Sequence, residues 1–202
     1  LKDEDVSPIE YLKWAESKKR GLDKTEIEKN LELANAFKAY EELKIKEGAM
    51  DFSDLIVNTL RLFRQRKNIL KNYQDQFKYI LVDEFQDTNF AQNQLAILLA
   101  GERGSITVVG DDDQAIYRWR GAAISNMIQF RKYFPKPKIV TLTKNYRSTQ
   151  EILNTSYRLI QNNNPDRLET KEKINKKLDS VRGIRGSSVE FILGRRVEDE
   201  AD

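Results

Sequence analysis

The chain contains Lys78-Tyr79-Ile80-Leu81-Val82-Asp83-Glu84-Phe85-Gln86-Asp87-Thr88-Asn89, a short apolar run that ends in two adjacent carboxylates. Such a run predicts a β-strand buried on both faces, as in a parallel sheet covered by helices. Asp83 and Glu84 would then lie at the carboxyl edge of the sheet, where open α/β sheets bind ligands. One acid could hold a hard cation there while the other handles a proton. Alternatively, the two acids open the next helix and complement its dipole, and these residues alone leave both interpretations open.

Two further apolar runs have the same character. Residues 105–110 (SITVVG) are followed by Asp111-Asp112-Asp113-Gln114, and residues 138–143 (KIVTLT) by Lys144-Asn145-Tyr146-Arg147-Ser148-Thr149. Segments long enough for a crossover helix separate the three runs, which is typical of a βαβαβ parallel sheet. The sequence therefore predicts that the polar ends of three strands converge on one site.

Helix signals occupy much of the remaining chain. A helix is predicted from Ser7 to near Gly21, and a second one from Thr25, with Glu28 as its capping partner, to Gly48. Further helices are predicted at apolar stripes within residues 52–63, 69–77, 91–101 and 124–135. The last two of these would be the crossovers between the strands.

The end of the chain has a weaker pattern. Ser148 and Glu151 form a potential capping box and predict a helix that continues to about residue 162. Residues 188–193 (SVEFIL) then predict one more strand.

Composition excludes several kinds of chemistry. The 202 residues include no cysteine and no histidine, so a disulfide framework, a zinc ribbon and the usual general base are excluded. The hydrophobic content of 39% is enough for a real core, and the net charge of +3 does not by itself demand a polyanionic partner. No apolar run is long enough for a membrane span, so we expect a cytosolic protein without a membrane partner. Because the chain begins at Leu1, we expect a piece of a longer polypeptide.

Aromatic and basic residues alternate in Gln114-Ala115-Ile116-Tyr117-Arg118-Trp119-Arg120-Gly121-Ala122. This pattern suits single-stranded nucleic acid, because bases stack on rings while guanidinium groups hold phosphates. Tyr117 and Trp119 could instead be core anchors, since large aromatic side chains are often buried. The basic residues 18–20 (KKR) likewise fit either a phosphate contact or a solvated helix end.

Three stretches together resemble the UvrD/Rep/PcrA-type superfamily 1 DNA helicases. Residues 79–89, 108–122 and 142–149 are similar to the second, third and fourth signature motifs of that family, in the same order and with approximately the same spacing. Residues 50–55 (MDFSDL) also resemble the return of the chain into the first RecA-like domain after an inserted helical subdomain.

The resemblance implies an α/β fold with a particular domain division. The chain would comprise part of a RecA-like P-loop NTPase domain, with a parallel sheet flanked by helices, and a segment of the helical inserted subdomain. Residues 1–49 would be the C-terminal part of that subdomain. Residues 50–148 would be part of the first RecA-like domain, and residues 149–202 the beginning of the second.

The resemblance also implies a site for ATP and magnesium. Asp83, with Glu84 beside it, would hold the magnesium ion, and Glu84 would accept a proton from the water that attacks the γ-phosphate. Gln114 would sense the γ-phosphate. Arg147 would stabilise charge on the transferring phosphoryl group, and Tyr146 would lie on the adenine face.

For DNA, the resemblance implies that bases of the tracking strand stack on Tyr117 and Trp119, with Arg120 nearby. Gln86 and Asp87 belong to the second motif and would do structural or coupling work. The partners implied are single-stranded DNA, junctions of single and double strands, and the rest of the parent helicase polypeptide.

One departure from the family concerns the phosphate loop. None of the nine glycines stands in a Gly-rich loop that ends in Gly-Lys-Ser/Thr, the main anchor of nucleotide phosphates. We therefore expect a fragment of an ATP-dependent helicase or translocase, 3′-to-5′ by resemblance, that neither hydrolyses ATP nor unwinds DNA as an isolated chain. Two alternatives are the motor part of a helicase–nuclease, and a catalytically empty module that binds single-stranded DNA or a partner.

Overall fold

A computed structural model describes residues 1–17, 23–115 and 124–190 of the chain. The predictions made for residues 18–20, for Tyr117, Trp119 and Arg120, and for residues after 190 lie outside the described residues. The chain divides into two compact units, residues 1–136 and residues 137–202. The domain boundaries expected after residues 49 and 148 stay predictions.

Two helices open the first unit and pack against each other. They are α1 (Pro8–Ser17) and α2 (Lys24–Glu47). Asp23, rather than Thr25, caps α2, because its side chain accepts a backbone N–H of the first turn. Gly48 ends α2 as predicted, with the left-handed φ of 63° that glycine adopts without strain. No helix in the described parts of the chain is both long enough and apolar enough to cross a membrane.

A helical layer follows. It consists of α3 (Phe52–Gln65), α4 (Lys67–Gln76) and α5 (Phe90–Ala100), and α3 packs on the other two. Leu60 and Phe63 of α3 are buried in this layer, as the apolar stripe predicted, whereas Phe52 and Leu55 of the same predicted stripe are exposed.

The central strands are β1 (Ile80–Val82) and β2 (Ile106–Val108), which pair in parallel and are connected through α5. This arrangement confirms the first two strands and the first crossover. The prediction that the first strand is buried on both faces is wrong, because Leu81 is 77% exposed. An apolar run shows only that a strand can be buried. Burial on both faces also requires a packed layer on each side of the sheet, and in the described residues α5 packs on one side of β1.

An aromatic cluster fixes the turn that follows β1. Phe85 lies in the 3₁₀ turn Phe85–Asp87, is fully buried, and meets the ring of Phe130 edge-on at 5.9 Å. Phe130 belongs to α6 (Ile124–Tyr133), the predicted second crossover, and its ring lies 4.8 Å from that of Phe134. These contacts hold the turn at the end of β1 against α6.

The second unit contains its own small parallel sheet. Strands β3 (Lys144–Asn145) and β4 (Asp179–Ser180) pair in parallel, and helices α7 (Gln150–Ile160) and α8 (Leu168–Lys171) lie between them in the chain. Thr149, rather than Ser148, is the N-cap residue of α7. The side chain of Glu151 instead accepts the N–H of Gly186, so the predicted capping box is wrong.

The prediction of a third strand at residues 138–143 is also wrong. These residues have no regular structure, and Val140 and Leu142 are 67% and 77% exposed. A β-branched run forms a strand only where a partner supplies the hydrogen bonds, and here pairing begins at Lys144. Residues 188–190 likewise form no strand. The fold is therefore a mixture of helices and small parallel sheets, and the three predicted strands do not share one sheet.

Candidate functional site

The exits of β1 and β2 lie side by side in the first unit. Val82 is opposite Val108, and the hydrogen bonds continue past the strands. Val109 donates its N–H to the carbonyl of Val82 over 2.8 Å, and Phe85 donates to the carbonyl of Val109 over 2.9 Å. The polar residues that follow the two strands are thus neighbours, as expected for parallel strands.

Asp83 and Glu84 are both exposed at this edge. The side chain of Asp83 accepts the N–H of Glu84 over 2.9 Å. Glu84 has a φ of 48°, a left-handed conformation that residues other than glycine rarely adopt. Helix α5 begins only at Phe90, capped by Asn89, so the two acids do not open the next α-helix.

A glutamine connects the two strand exits. Gln86 is 1% exposed, its Nε2 donates to Glu84 Oε2 over 2.6 Å, and its Oε1 accepts the N–H of Asp111 over 3.0 Å. Sequence reasoning assigned Gln86 structural or coupling work without a partner. The contact to Asp111 joins residues 25 positions apart, which local patterns do not reveal.

The exit of β2 carries a turn rich in carboxylates. Gln114 is exposed and donates its Nε2 to Asp111 Oδ2 over 2.9 Å. One carboxylate oxygen from each of Asp111, Asp112 and Asp113 lies within 4.8 Å of the others. Carboxylate oxygens are the ligands that magnesium prefers, and Asp83 and Glu84 are open to solvent, so the residues at this edge fit a magnesium ion.

Another group of acids, Glu41, Asp51 and Asp54, is already neutralised. Lys2 Nζ lies 2.8, 2.6 and 2.6 Å from their carboxylates, and Lys44 joins the same cluster. Burial alone would raise the pKa of Asp51 and Asp54, but the hydrogen bonds that they accept from Lys2 and from each other's backbone N–H, together with their other polar contacts, outweigh it and hold both pKa values below the ordinary range. This lysine–carboxylate cluster ties the start of the chain to α2 and α3 and leaves no open position for a metal ion.

Tyr146 and Arg147 lie in the second unit and are both exposed. Asn145 shapes their turn, because its Oδ1 accepts the N–H groups of Arg147 and Ser148 over 2.9 and 2.7 Å. The guanidinium group of Arg182 donates to the carbonyl of Arg147 over 3.0 Å. Sequence reasoning missed Asn145, although an asparagine before a turn is a recognised signal. The predicted base-stacking residues Tyr117 and Trp119, and Arg120, lie outside the described residues.

Curated proteins with similar sequences carry the name ATP-dependent DNA helicase PcrA. The chain is 45% identical over 131 residues to the Staphylococcus aureus protein. This alignment covers 65% of the present chain and 18% of the relative. It is 39% identical over 170 residues to the Leuconostoc citreum protein. This alignment covers 84% of the present chain and 22% of the relative. The chain thus spans about a fifth of the length of these relatives.

A family model described as UvrD/REP helicase N-terminal domain matches residues 2–135. The matched region includes the strand pair, both carboxylates after β1 and the whole exit of β2. It confirms the resemblance that the motifs indicated. Since the match extends over well more than half of the chain, the chain belongs to the UvrD/REP helicase N-terminal domain family.

Proposed function

We propose that this chain is part of an ATP-dependent DNA helicase or translocase that couples hydrolysis of magnesium-bound ATP to movement, 3′ to 5′, along single-stranded DNA. The observation that supports this most directly is the pair of exposed carboxylates, Asp83 and Glu84, at the exit of β1 beside the exit of β2. The name of the relatives, ATP-dependent DNA helicase, supports the reaction class.

In this proposal the two carboxylates divide the chemistry. Bound magnesium would supply positive charge to the phosphates of ATP. Asp83, with Glu84 beside it, holds that ion, and Glu84 accepts the proton of the attacking water. The hydrogen bonds around Asp83 Oδ1 and Glu84 Oε2 orient both groups before ATP arrives.

The remaining residues would bind and couple. Gln114 senses the γ-phosphate, Tyr146 lies on the adenine, and Arg147 stabilises charge on the transferring phosphoryl group. The exposure of all three supports access to a ligand. Tyr117 and Trp119 would stack on bases of single-stranded DNA or of a junction, with Arg120 nearby, and the rest of the parent polypeptide would supply the phosphate loop.

The isolated chain should behave differently from the full-length protein. Because none of its nine glycines stands in a phosphate loop, nucleotide phosphates lose their main anchor. We expect the 202-residue chain alone to show no DNA-stimulated ATP hydrolysis and no unwinding.

The test is DNA-stimulated phosphate release by the full-length polypeptide that contains this chain. Glu84→Gln keeps the shape of the side chain and removes the base, so the rate should fall by about 100-fold or more. Glu102→Gln, at an exposed glutamate in the turn before β2, is the matched control and should leave the rate unchanged. Equal rates for the unmodified protein and Glu84→Gln would contradict the proposal.

The same preparation separates the alternatives. A protein that binds single-stranded DNA but does not hydrolyse ATP, with or without the Glu84→Gln change, would favour the binding module. A nuclease activity that survives Glu84→Gln would favour the motor part of a helicase–nuclease, since the nuclease would then reside elsewhere in the polypeptide.

A further inference from the structure

The side chain of Gln86 uses both ends of its amide. Nε2 donates to Glu84 Oε2 over 2.6 Å, and Oε1 accepts the N–H of Asp111 over 3.0 Å. The orientation of the amide follows from its partners. An ionised carboxylate only accepts hydrogen bonds and a backbone N–H only donates them, so a flipped amide would lose both contacts.

Because the Gln86 side chain is buried, the loss of either hydrogen bond would be costly. Gln86 is 1% exposed, and a buried amide that loses a partner is costly. Gly110 closes the space on the other side, because a Cβ at this position would lie 2.6 Å from Gln86 Oε1 and 3.2 Å from the backbone nitrogen of Phe85. Hence a residue without a side chain at position 110 lets the exit of β2 approach Gln86.

Glu84 depends on this contact for its orientation. Its backbone is in the left-handed region and its side chain is exposed, so few contacts of its own restrict the carboxylate. The amide of Gln86 fixes one carboxylate oxygen and leaves the other free to accept a proton.

We propose that Gln86 is a positioning residue that orients the Glu84 carboxylate and connects it to the β2 exit, which carries Gln114. This inference rests on the proposed function, because it assigns Gln86 a role through the proposed base. In this role Gln86 touches neither ATP nor water. A displacement of Asp111 changes the position of the Gln86 amide, and the amide in turn moves the carboxylate.

The chain offers a matched control. Gln74 is a half-buried glutamine of α4 whose Nε2 donates to the carbonyl of Leu98 over 2.7 Å, and it lies beside a glycine, Gly101, as Gln86 lies beside Gly110. Gln74→Glu therefore removes a comparable hydrogen bond between two elements without touching the candidate site.

The experiment uses the full-length protein with two readouts, steady-state DNA-stimulated ATP hydrolysis and thermal unfolding. Gln86→Glu keeps the shape of the side chain but places two carboxylates in contact. We expect kcat to fall by about tenfold or more while the KM for ATP changes by less than about twofold. Gln74→Glu should lower the melting temperature but change kcat by less than about twofold.

The reciprocal double variant, Glu84→Gln with Gln86→Glu, tests the contact itself. It restores one amide donor and one carboxylate acceptor with their positions exchanged, and the carboxylate introduced at position 86 can still accept the N–H of Asp111. The melting temperature should recover from the value of Gln86→Glu, whereas kcat should stay as low as in Glu84→Gln alone.

Each outcome decides one question. A double variant that remains as unstable as Gln86→Glu, or that fails to fold, would show that the 84–86 contact is not formed. A Gln86→Glu protein with the kcat of the Gln74→Glu control would overturn the positioning role while leaving the proposed function intact. Equal kcat for the unmodified protein and Glu84→Gln would instead overturn the proposed function, and the melting data would still decide the contact.

A second variant covers the case in which Gln86→Glu alone does not fold. Gly110→Ala retains Gln86 and displaces its amide, so kcat should fall with little change in the KM for ATP. An unchanged kcat in Gly110→Ala would contradict the connection between the β2 exit and Glu84.

Discussion

Lys2 Nζ lies 2.6 Å from Asp54 Oδ1, although the two residues are 52 positions apart in the sequence. Lys2 belongs to the first turn of the chain, and Asp54 to the first turn of α3. The same ammonium group also lies 2.8 Å from the carboxylate of Glu41 in α2. The lysine–carboxylate cluster thus fastens the long helix α2 and the start of the chain to the layer that supports the strand pair.

Removal of one member of this cluster should be costly. The side chains of Lys2 and Asp54 are only 12% and 7% exposed, so Lys2→Met or Asp54→Asn leaves the remaining partly buried charges out of balance, with one partner fewer. We expect a loss of about 3 kcal/mol in the free energy of unfolding, measured with urea. The control is Lys24→Met, which breaks an exposed pair with Glu28 and should cost less than about 0.5 kcal/mol. Equal losses in the two cases would show that the cluster does not stabilise the fold.

Acid should weaken the same cluster. Burial opposes ionisation of Asp51 and Asp54, but the hydrogen bonds that they accept from Lys2, from backbone N–H groups and from other side chains together outweigh it and lower both pKa values. A carboxyl group whose pKa is lowered in the folded state stabilises the protein at pH values above its unfolded pKa, which is about 4. This stabilisation is lost as the pH falls through the folded pKa. The free energy of unfolding should therefore decline below about pH 4. Urea titrations at neutral and acidic pH, with Asp54→Asn for comparison, should show a shallower decline in the variant.

A rise in pH should also weaken the cluster, through deprotonation of Lys44. Burial alone would lower the pKa of Lys44, but its hydrogen bonds to Asp54 and Glu41 outweigh it, so the pKa is raised. The stabilisation that Lys44 provides is complete below its unfolded pKa, near about 10.4, and is lost as the pH rises through the folded value. At neutral pH Lys44, Asp51 and Asp54 are therefore all charged.

Local sequence patterns were enough to predict those residues of the candidate site that come shortly after a strand. Asp83 and Glu84 follow β1 directly, and Asp111 follows β2, so strand recognition was enough to place them at one edge. The lysine–carboxylate cluster was not predictable in this way, because Lys2 and Asp54 are distant in sequence and a lysine near a terminus is usually solvated.

The prediction of a third strand was wrong for a different reason. Residues 138–143 satisfy β-propensity, but propensity does not specify a partner, and the structure pairs the chain just beyond them, at Lys144 and Asn145, with β4. The same shift places Asn145 where its side chain can accept the N–H groups of the following turn. Tertiary pairing, which single-sequence patterns do not contain, decided both features.

The aromatic cluster beneath the candidate site should contribute strongly to stability. Phe85 is fully buried and meets Phe130 edge-on at 5.9 Å, so Phe85→Ala removes this contact and leaves a cavity. We expect a loss of about 3–5 kcal/mol in the free energy of unfolding. Phe52→Ala is the matched control, because Phe52 is 92% exposed and its loss should cost less than about 0.5 kcal/mol. A small loss in Phe85→Ala would mean that the turn after β1 is not anchored by this ring.

The two tryptophans of the chain allow a direct test of base stacking. Trp119→Ala should weaken binding of single-stranded DNA by about 1–3 kcal/mol in the full-length protein, because stacking on one ring contributes that much. Trp14 is the control, since it stacks on Tyr11 within α1 at a centroid distance of 5.4 Å, and Trp14→Ala should leave DNA affinity unchanged. Fluorescence anisotropy with labelled oligonucleotides measures both. Unaltered binding in Trp119→Ala would remove the stacking role and favour a core position for that ring.

The turn of Arg147 should depend on Asn145. Asn145→Ala removes the acceptor of two backbone N–H groups, so we expect a loss of about 1–3 kcal/mol in stability. If Arg147 stabilises phosphoryl transfer, kcat of the full-length protein should also fall by about tenfold, with a smaller change in the KM for ATP. Asn145→Asp keeps a carboxylate oxygen that can accept both N–H groups, and it should restore most of the stability and of kcat. Asn154→Ala, which removes only an exposed contact with Gln150, controls for general loss of structure in the second unit. If Asn145→Asp were as impaired as Asn145→Ala, the two hydrogen bonds would not be what places Arg147.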